Sequence, residues 1–261
     1  MQLSDARILL TGATGGLGQA LARQLADAGA HLLVAGRNTP QLAALTNALG
    51  AGHSSVCAEL SQPEGIAAAA GAAREFGVNL LLNNAGIGGF GLYEEQAWSD
   101  IEMLLATNLA APMRLTHALL PWLKQQPEAA IVNVGSTFGS LPFAGFAAYS
   151  ATKAGLRGFS QALRRELADT DVAVIHLAPR AIDTPLNSEA VNALNRALKN
   201  QSDSTELVAR QVVEAIRRGR GESHFGFPER FFAWLNGVAP ALIDQGLAGK
   251  LATIKQHAGN K

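Results

Sequence analysis

The sequence predicts an α/β fold, a doubly wound parallel sheet of about seven strands with helices on both faces. Three observations predict it. Short apolar runs of β type alternate with longer stretches of helical period along the chain. Those runs are continuous rather than alternating, the pattern of strands covered on both faces. A glycine-rich turn joins the first run to the first helical stretch, as a tight strand-to-helix crossover requires.

Strands are expected at residues 7–10, 32–35, 55–57, 80–82, 130–134 and 172–177, with a shorter one near 224–227. Helices are expected at 17–28, 41–49, 64–75, 98–120, 148–167 and 205–217. Strand–helix alternation repeated this often implies right-handed crossovers. The chain is 48% hydrophobic over 261 residues, and neither a linker nor an internal repeat divides it, so one domain over 1–261 is expected.

Lys+Arg and Asp+Glu number 21 each, which argues against a nucleic-acid partner. The six histidines show no ligand spacing, so no metal is expected. Cys57, the single cysteine, is expected to be a small buried hydrophobe on a strand, and its isolation fits a reducing compartment. The first seven residues lack the regions of a secretory leader, and no stretch approaches a spanning helix. A cytoplasmic protein is the expectation.

Leu9-Leu10-Thr11-Gly12-Ala13-Thr14-Gly15-Gly16-Leu17-Gly18 stand where the first strand meets the first helix. Glycines there let backbone N–H groups approach a pyrophosphate at a helix N-terminus, where the dipole favours negative charge. A turn without a ligand is the plain alternative, and the strand–glycine–helix order favours nucleotide binding. After the second strand comes Ala35-Gly36-Arg37-Asn38. An NAD site usually offers an acid to the ribose 2′-hydroxyl at this point. Glycine withholds it, and Arg37 supplies a guanidinium suited to a 2′-phosphate. NADP(H) is therefore expected over NAD(H), with a solvated loop arginine as the alternative.

Tyr149-Ser150-Ala151-Thr152-Lys153 opens a helical stretch in which tyrosine and lysine, at i and i+4, share one face. The ammonium is expected to lower the tyrosine pKa, so that its hydroxyl exchanges a proton with a substrate oxygen near neutral pH. Ser136, in Asn133-Val134-Gly135-Ser136, follows the fifth strand at the edge where such sheets open their crevice. Its hydroxyl can bond the same oxygen.

Thr11-Gly12-x-x-x-Gly16-x-Gly18, Asn83-Asn84-Ala85-Gly86, Asn108, Ser136 and Tyr149-x-x-x-Lys153 together resemble the short-chain dehydrogenase/reductase family over residues 6–185. Tyr149 stands thirteen positions after Ser136, as in that family. The resemblance implies a single-domain Rossmann-type fold and an oxidoreductase that interconverts a carbonyl and an alcohol. It implies a catalytic tetrad. Tyr149 would be the acid/base and Ser136 would polarise the carbonyl. Lys153 would lower the tyrosine pKa and hold the nicotinamide ribose, and Asn108 would position a water in a proton relay. Asn108 as a helix-kink residue and Asn83 as a turn former are the plainer readings. The dinucleotide would lie on Gly12, Thr14, Gly15, Gly16, Leu17 and Gly18, with Asn84, Ala85 and Gly86 lining its crevice and Pro179 and Thr184 at the nicotinamide end. Gly12, Gly15 and Gly18 also fit the spacing of a longer subclass, but the chain has no room for that subclass's extra substrate domain.

Two departures from the family pattern stand out. Its adenine-contacting aspartate is replaced in the run Ala58-Glu59-Leu60-Ser61, so that contact is expected from Glu59 or the Leu60 backbone. Its Pro-Gly after the sixth strand is Pro179-Arg180. Arg180 either points to solvent or helps recognise an acidic or polar substrate.

The resemblance places a substrate lid at residues 186–204, where Leu186, Val191, Leu194 and Leu198 have helical spacing. Phe138, Leu141, Phe143 and Phe146 would line the same cavity, which suggests a small-molecule substrate with an apolar portion; core packing is the alternative. Residues 228–261 replace the family's usual ending and hold four Lys/Arg against two Asp/Glu. Three readings stay open for this tail: a helix packed on the domain, an altered interface of a homo-oligomer, or an amphipathic element in peripheral membrane contact. A catalytically silent nucleotide-binding sensor or scaffold is the competing function.

Overall fold

A computed structural model describes residues 2–219 and 221–259. Met1, Arg220, Asn260 and Lys261, which the 1–261 domain assignment includes, lie outside the described residues. The sheet has seven parallel strands: β1 (Arg7–Thr11), β2 (His31–Gly36), β3 (Ser54–Cys57), β4 (Leu80–Asn83), β5 (Ala129–Val134), β6 (Val172–Ala178) and β7 (Glu222–His224). Their order is β3-β2-β1-β4-β5-β6-β7. The chain steps outward from β1 to β3, then returns to the other side of β1 with β4. At this reversal the connections leave in opposite directions, which opens a crevice beyond the carboxyl ends of β1 and β4.

One face of the sheet is covered by α1 (Gly16–Asp27), α2 (Thr39–Leu49) and α8 (Thr205–Arg218). The other is covered by α3 (Pro63–Phe76), α5 (Ala111–Leu123) and α6 (Ala147–Glu166). Adjacent residues of a strand point to opposite faces, so Leu10 joins the first core and Leu9 the second. This is why the strands read as unbroken apolar runs.

The edge strand overturns one expectation. β3 pairs only with β2, and Cys57, expected to be buried, is exposed at its end. Asn83 is no turn former. It is buried at the end of β4 and donates to Asn133 Oδ1 (2.8 Å), while Asn133 donates to Ser160 Oγ (2.9 Å), tying β4 and β5 to α6. The helix expected at 98–120 is broken into α4 (Trp98–Leu105), a π-type turn at Ala106–Ala110, and α5. The last strand ends before Gly226, whose φ of +87° departs from extended backbone, and so falls short of the expected 224–227.

The 186–204 segment contains α7 (Glu189–Ala197), which begins where Ser188 Oγ accepts from the Val191 N–H (3.3 Å). The tail forms α9 (Glu229–Val238), α10 (Pro240–Ala248) and α11 (Leu251–Ala258). Ile254 of α11 is buried with Phe146 and Leu194, so α11 packs against α7. Among the described residues, no helix is long and apolar enough to cross a membrane.

Candidate active site

One cavity of about 1420 Å³ opens at the sheet reversal. A single small-molecule pocket is commonly about 300–1,000 Å³, so there is room for two ligands side by side. The cavity gathers every residue assigned to the dinucleotide, from Gly12 to Thr184, together with Ser136, Tyr149 and Lys153. A shallower depression of about 610 Å³ between α3 and α5 holds none of them.

The floor of the cavity is the glycine turn. Gly12 has φ +63°, and a Cβ there would stand 2.7 Å from the Ala85 Cα. A Cβ on Gly18 would stand 2.1 Å from the Gly12 carbonyl oxygen. The turn is therefore packed backbone to backbone. Asn84 holds it in place by donating from Nδ2 to the Thr11 carbonyl (2.9 Å), while Thr11 Oγ1 accepts from the Asn84 and Ala85 N–H groups (both 3.0 Å). No side chain caps α1 at Gly15, so the N–H groups of its first turn are left for an anion. This cradle of backbone donors fits a dinucleotide pyrophosphate.

Beyond β2, Arg37 does not stand alone. Its Nη1 lies 3.3 Å from Glu59 Oε2, and both side chains are solvent-accessible. Glu59 Oε1 also accepts from the Ser61 N–H (3.1 Å) and hydroxyl (2.8 Å). Burial alone would raise the Glu59 pKa, but the Ser61 bonds and the Arg37 guanidinium outweigh it and keep the carboxyl below its ordinary value. An exposed pair of this kind is worth at most about 1 kcal/mol, so Arg37 can readily exchange this partner for another anion.

Tyr149 and Lys153 lie near the start of α6. Ser136, in extended backbone (φ −165°), lies two residues past the end of β5 and caps a short 3-10 turn at Thr137–Gly139. A Cβ on Gly139 would stand 2.7 Å from the Lys153 carbonyl oxygen, so this turn is pressed directly on α6. That contact brings Ser136 near enough to the Tyr149 hydroxyl to favour its ionised form. Pro179 supports the turn from β6, its carbonyl accepting from the Thr137 N–H (2.9 Å) and hydroxyl (3.1 Å).

Lys153 is only 5% exposed and donates to the Val134 carbonyl (3.1 Å). Its ammonium lies 5.7 Å from the Tyr149 ring centroid. Burial lowers its pKa to about 8. The expected lowering of the tyrosine does not occur. Burial pushes the Tyr149 hydroxyl above its ordinary value, against Ser136, which pulls it down, so Tyr149 keeps its proton at neutral pH.

A measurable consequence follows for Lys153. The unfolded chain takes up its proton near the ordinary 10.5 and the folded one only near 8. Folding is therefore opposed below about pH 8, and the penalty fades as pH rises toward 10.5. Lys153→Met removes that titration. In calorimetry of the cofactor-free protein, Tm of the variant relative to wild type should be higher at pH 7 than at pH 10, by on the order of 5 °C. An offset independent of pH would mean that Lys153 is not desolvated.

Asn108 is buried in the π-type turn and does not line the cavity. Its Oδ1 accepts from the Ile87 N–H (2.8 Å), and its Nδ2 donates to the Ile87 carbonyl (2.9 Å) and toward Thr152 Oγ1 (3.5 Å). The side chain thus holds the loop after β4 against α6. Thr184 lines the cavity beside Gly16.

Arg180 does not reach freely into solvent; it lines the cavity and is already paired there. Nε and Nη2 form a bidentate pair with Asp203 (2.9 and 2.6 Å), and Nη1 bonds Gln201 Oε1 (3.0 Å) and faces Glu229 (3.7 Å). It clamps Asp203, near the start of α8, and Glu229, at the start of α9, to the segment that follows β6. Sequence reasoning missed this, since nothing in the spacing of Arg180, Asp203 and Glu229 marks them as partners. It also missed the cavity lining from α9 and α10, which includes Phe232, Leu235, Leu242 and Ile243. The aromatic run after Pro228 was the available signal.

Fold and cavity define the class: a doubly wound α/β protein with its ligand crevice at the topological switch point. The family model described as short chain dehydrogenase matches residues 6–195. The oxidoreductase DltE of Bacillus subtilis is 33% identical over 226 residues, covering 85% of this chain and 88% of that protein. A short-chain dehydrogenase from Sphingobium yanoikuyae, solved in complex with NADPH, superposes with TM-score 0.80 at 29% identity, over 92% of this chain and 95% of that one. A short-chain dehydrogenase/reductase from Burkholderia phymatum, solved with NAD, superposes with TM-score 0.84 at 26% identity, over 93% and 96%. The chain belongs to the short-chain dehydrogenase/reductase family of oxidoreductases.

Proposed function

We propose that the protein is an NADP(H)-dependent oxidoreductase, one domain in extent, that reduces a carbonyl to an alcohol with Tyr149 as proton donor. The observation that carries this reading is the meeting of Ser136, Tyr149 and Lys153 in the same cavity as the glycine turn. When bound, reduced nicotinamide supplies a hydride to the carbonyl carbon. Ser136 and Tyr149 donate hydrogen bonds to the carbonyl oxygen and polarise it, and the Tyr149 proton passes to that oxygen as the new C–H bond forms. A tyrosine that lines the cavity and keeps its proton at neutral pH is suited to donation and so to the reductive direction. The Lys153 ammonium stabilises the phenolate left behind and would bond the nicotinamide ribose. Asn108 keeps the loop bearing Gly86 in register with α6. Thr184, Pro179 and the Leu60 backbone border the two ends of the dinucleotide.

Arg37 would pair with the 2′-phosphate, replacing Glu59. One of the two solved relatives above carries NADPH and the other NAD, so the choice of cofactor rests on this pair. In fluorescence titrations, Arg37→Ala should weaken NADPH binding by about tenfold to a hundredfold, the loss of one charge-assisted phosphate contact, and leave NADH unchanged. Glu59→Gln should tighten NADPH, because it removes a like charge beside the phosphate. Equal NADH and NADPH affinities, unmoved by either variant, would reverse the assignment.

A further inference from the structure

The cavity continues well past the catalytic cluster, and its walls change character as it does. Next to the Tyr149 hydroxyl they are polar. From the tyrosine ring outward they are aromatic, with Phe138 and Phe146 edge-on to Tyr149 at 6.3 Å and Phe143 stacked on Phe138 at 5.6 Å. Farther out, α9 and α10 contribute Phe232, Leu242 and Ile243. These helices are fixed to the catalytic loop. Asn236 of α9 donates to the Ser140 carbonyl (3.0 Å), four residues past Ser136, and Glu229 at the start of α9 faces the Arg180 clamp (3.7 Å). The 186–204 segment is held by the same arginine through Asp203. The apolar walls are therefore a standing slot between α7 and α9–α10.

We infer that the substrate is a carbonyl compound with a long aliphatic arm, which runs from Tyr149 past Phe138, Phe143 and Phe146 to the α9–α10 wall. This rests on the reductase reading and deepens it. Leu242 is 57% exposed and Phe232 40% exposed, yet both line the cavity. An arm lying in the slot covers apolar surface that water otherwise meets, and each methylene buried there adds binding. A short ketone fills only the polar end and gains none of this.

The test uses the full-length protein with NADPH and the series 2-butanone, 2-octanone and 2-dodecanone. Turnover is followed by loss of NADPH absorbance, and binding of the matching 2-alkanols with NADP+ by calorimetry. Both kcat/KM and alcohol affinity should rise with length, by roughly fourfold per methylene buried. Phe232→Asn and Leu242→Asn should flatten both slopes. Trp234→Ser, on a side chain that does not line the cavity, should leave them as in wild type. Reduction and binding that are both indifferent to length would overturn the slot while leaving the reductase reading in place. Length-dependent binding without turnover of any ketone would support the slot and sink the reductase reading.

Discussion

Tyr149→Phe should reduce carbonyl turnover by about 10²–10⁴-fold, the range of a positioned general acid, while the protein still binds NADPH. The substitution removes one hydroxyl and leaves the ring against Phe138 and Phe146, so Tm should barely move. Stopped-flow absorbance on the cofactor-loaded variant separates binding from turnover. The pH profile of wild type carries its own sign. The reductive step needs a protonated tyrosine and a charged lysine, so activity must fall as pH rises. The fall begins with Lys153 at about 8 and continues with Tyr149, whose pKa burial has raised. If the variant turned over at the wild-type rate, the proton would come from elsewhere. If wild type itself bound NADPH and reduced nothing, a nucleotide-binding sensor or scaffold would be the better reading.

Gly18→Ala should cost both fold and cofactor. The added methyl would stand 2.1 Å from the Gly12 carbonyl oxygen and 2.8 Å from the Ala13 Cα, and backbone cannot swing aside as a flexible side chain can. The β1–α1 turn must open, at about 1–3 kcal/mol, which in a chain of this size lowers Tm by roughly 2–12 °C. NADPH binding should be lost with it, because the N–H groups that face the pyrophosphate move. Gly15→Ala is the informative contrast. Its φ is −73°, and its Cβ would lie 3.5 Å from the Gly12 carbonyl, an ordinary contact. Tm should hold while NADPH affinity drops, since the methyl projects where the anion approaches. Gly15→Ala binding NADPH as wild type does would show that the pyrophosphate passes elsewhere.

Parts of this molecule were legible in the sequence because they rest on local rules. The strand pattern, the glycine turn and the i, i+4 placement of Tyr149 and Lys153 each follow from backbone geometry over a few residues. The break in the helix was legible only as the option that Asn108 is a helix-kink residue. A five-residue change of helical pitch leaves the apolar periodicity of 98–120 nearly intact, and only the backbone of Ala106–Ala110 reveals its π-type form. Cys57 was misjudged because residue type sets an average burial, whereas its position at the end of an edge strand sets the actual one.

Electrostatics divides in the same way. The sequence shows that Lys153 stands beside Tyr149, but the sign of the tyrosine's shift depends on how much water each group has lost, which is a property of packing. Arg180 illustrates the point more fully. Its partners Asp203 and Glu229 lie 23 and 49 positions away along the chain, and they meet only because β6, the 186–204 segment and α9 converge at one edge of the cavity. The sequence by itself determined the sheet, its glycine turn and the placement of Tyr149 one helical turn from Lys153. The tertiary structure alone decided which charges are paired, which proton is held, and that α9 and α10 wall the cavity. Those outcomes depend on contacts between distant segments and on the exclusion of water, and neither leaves a periodic mark in the sequence.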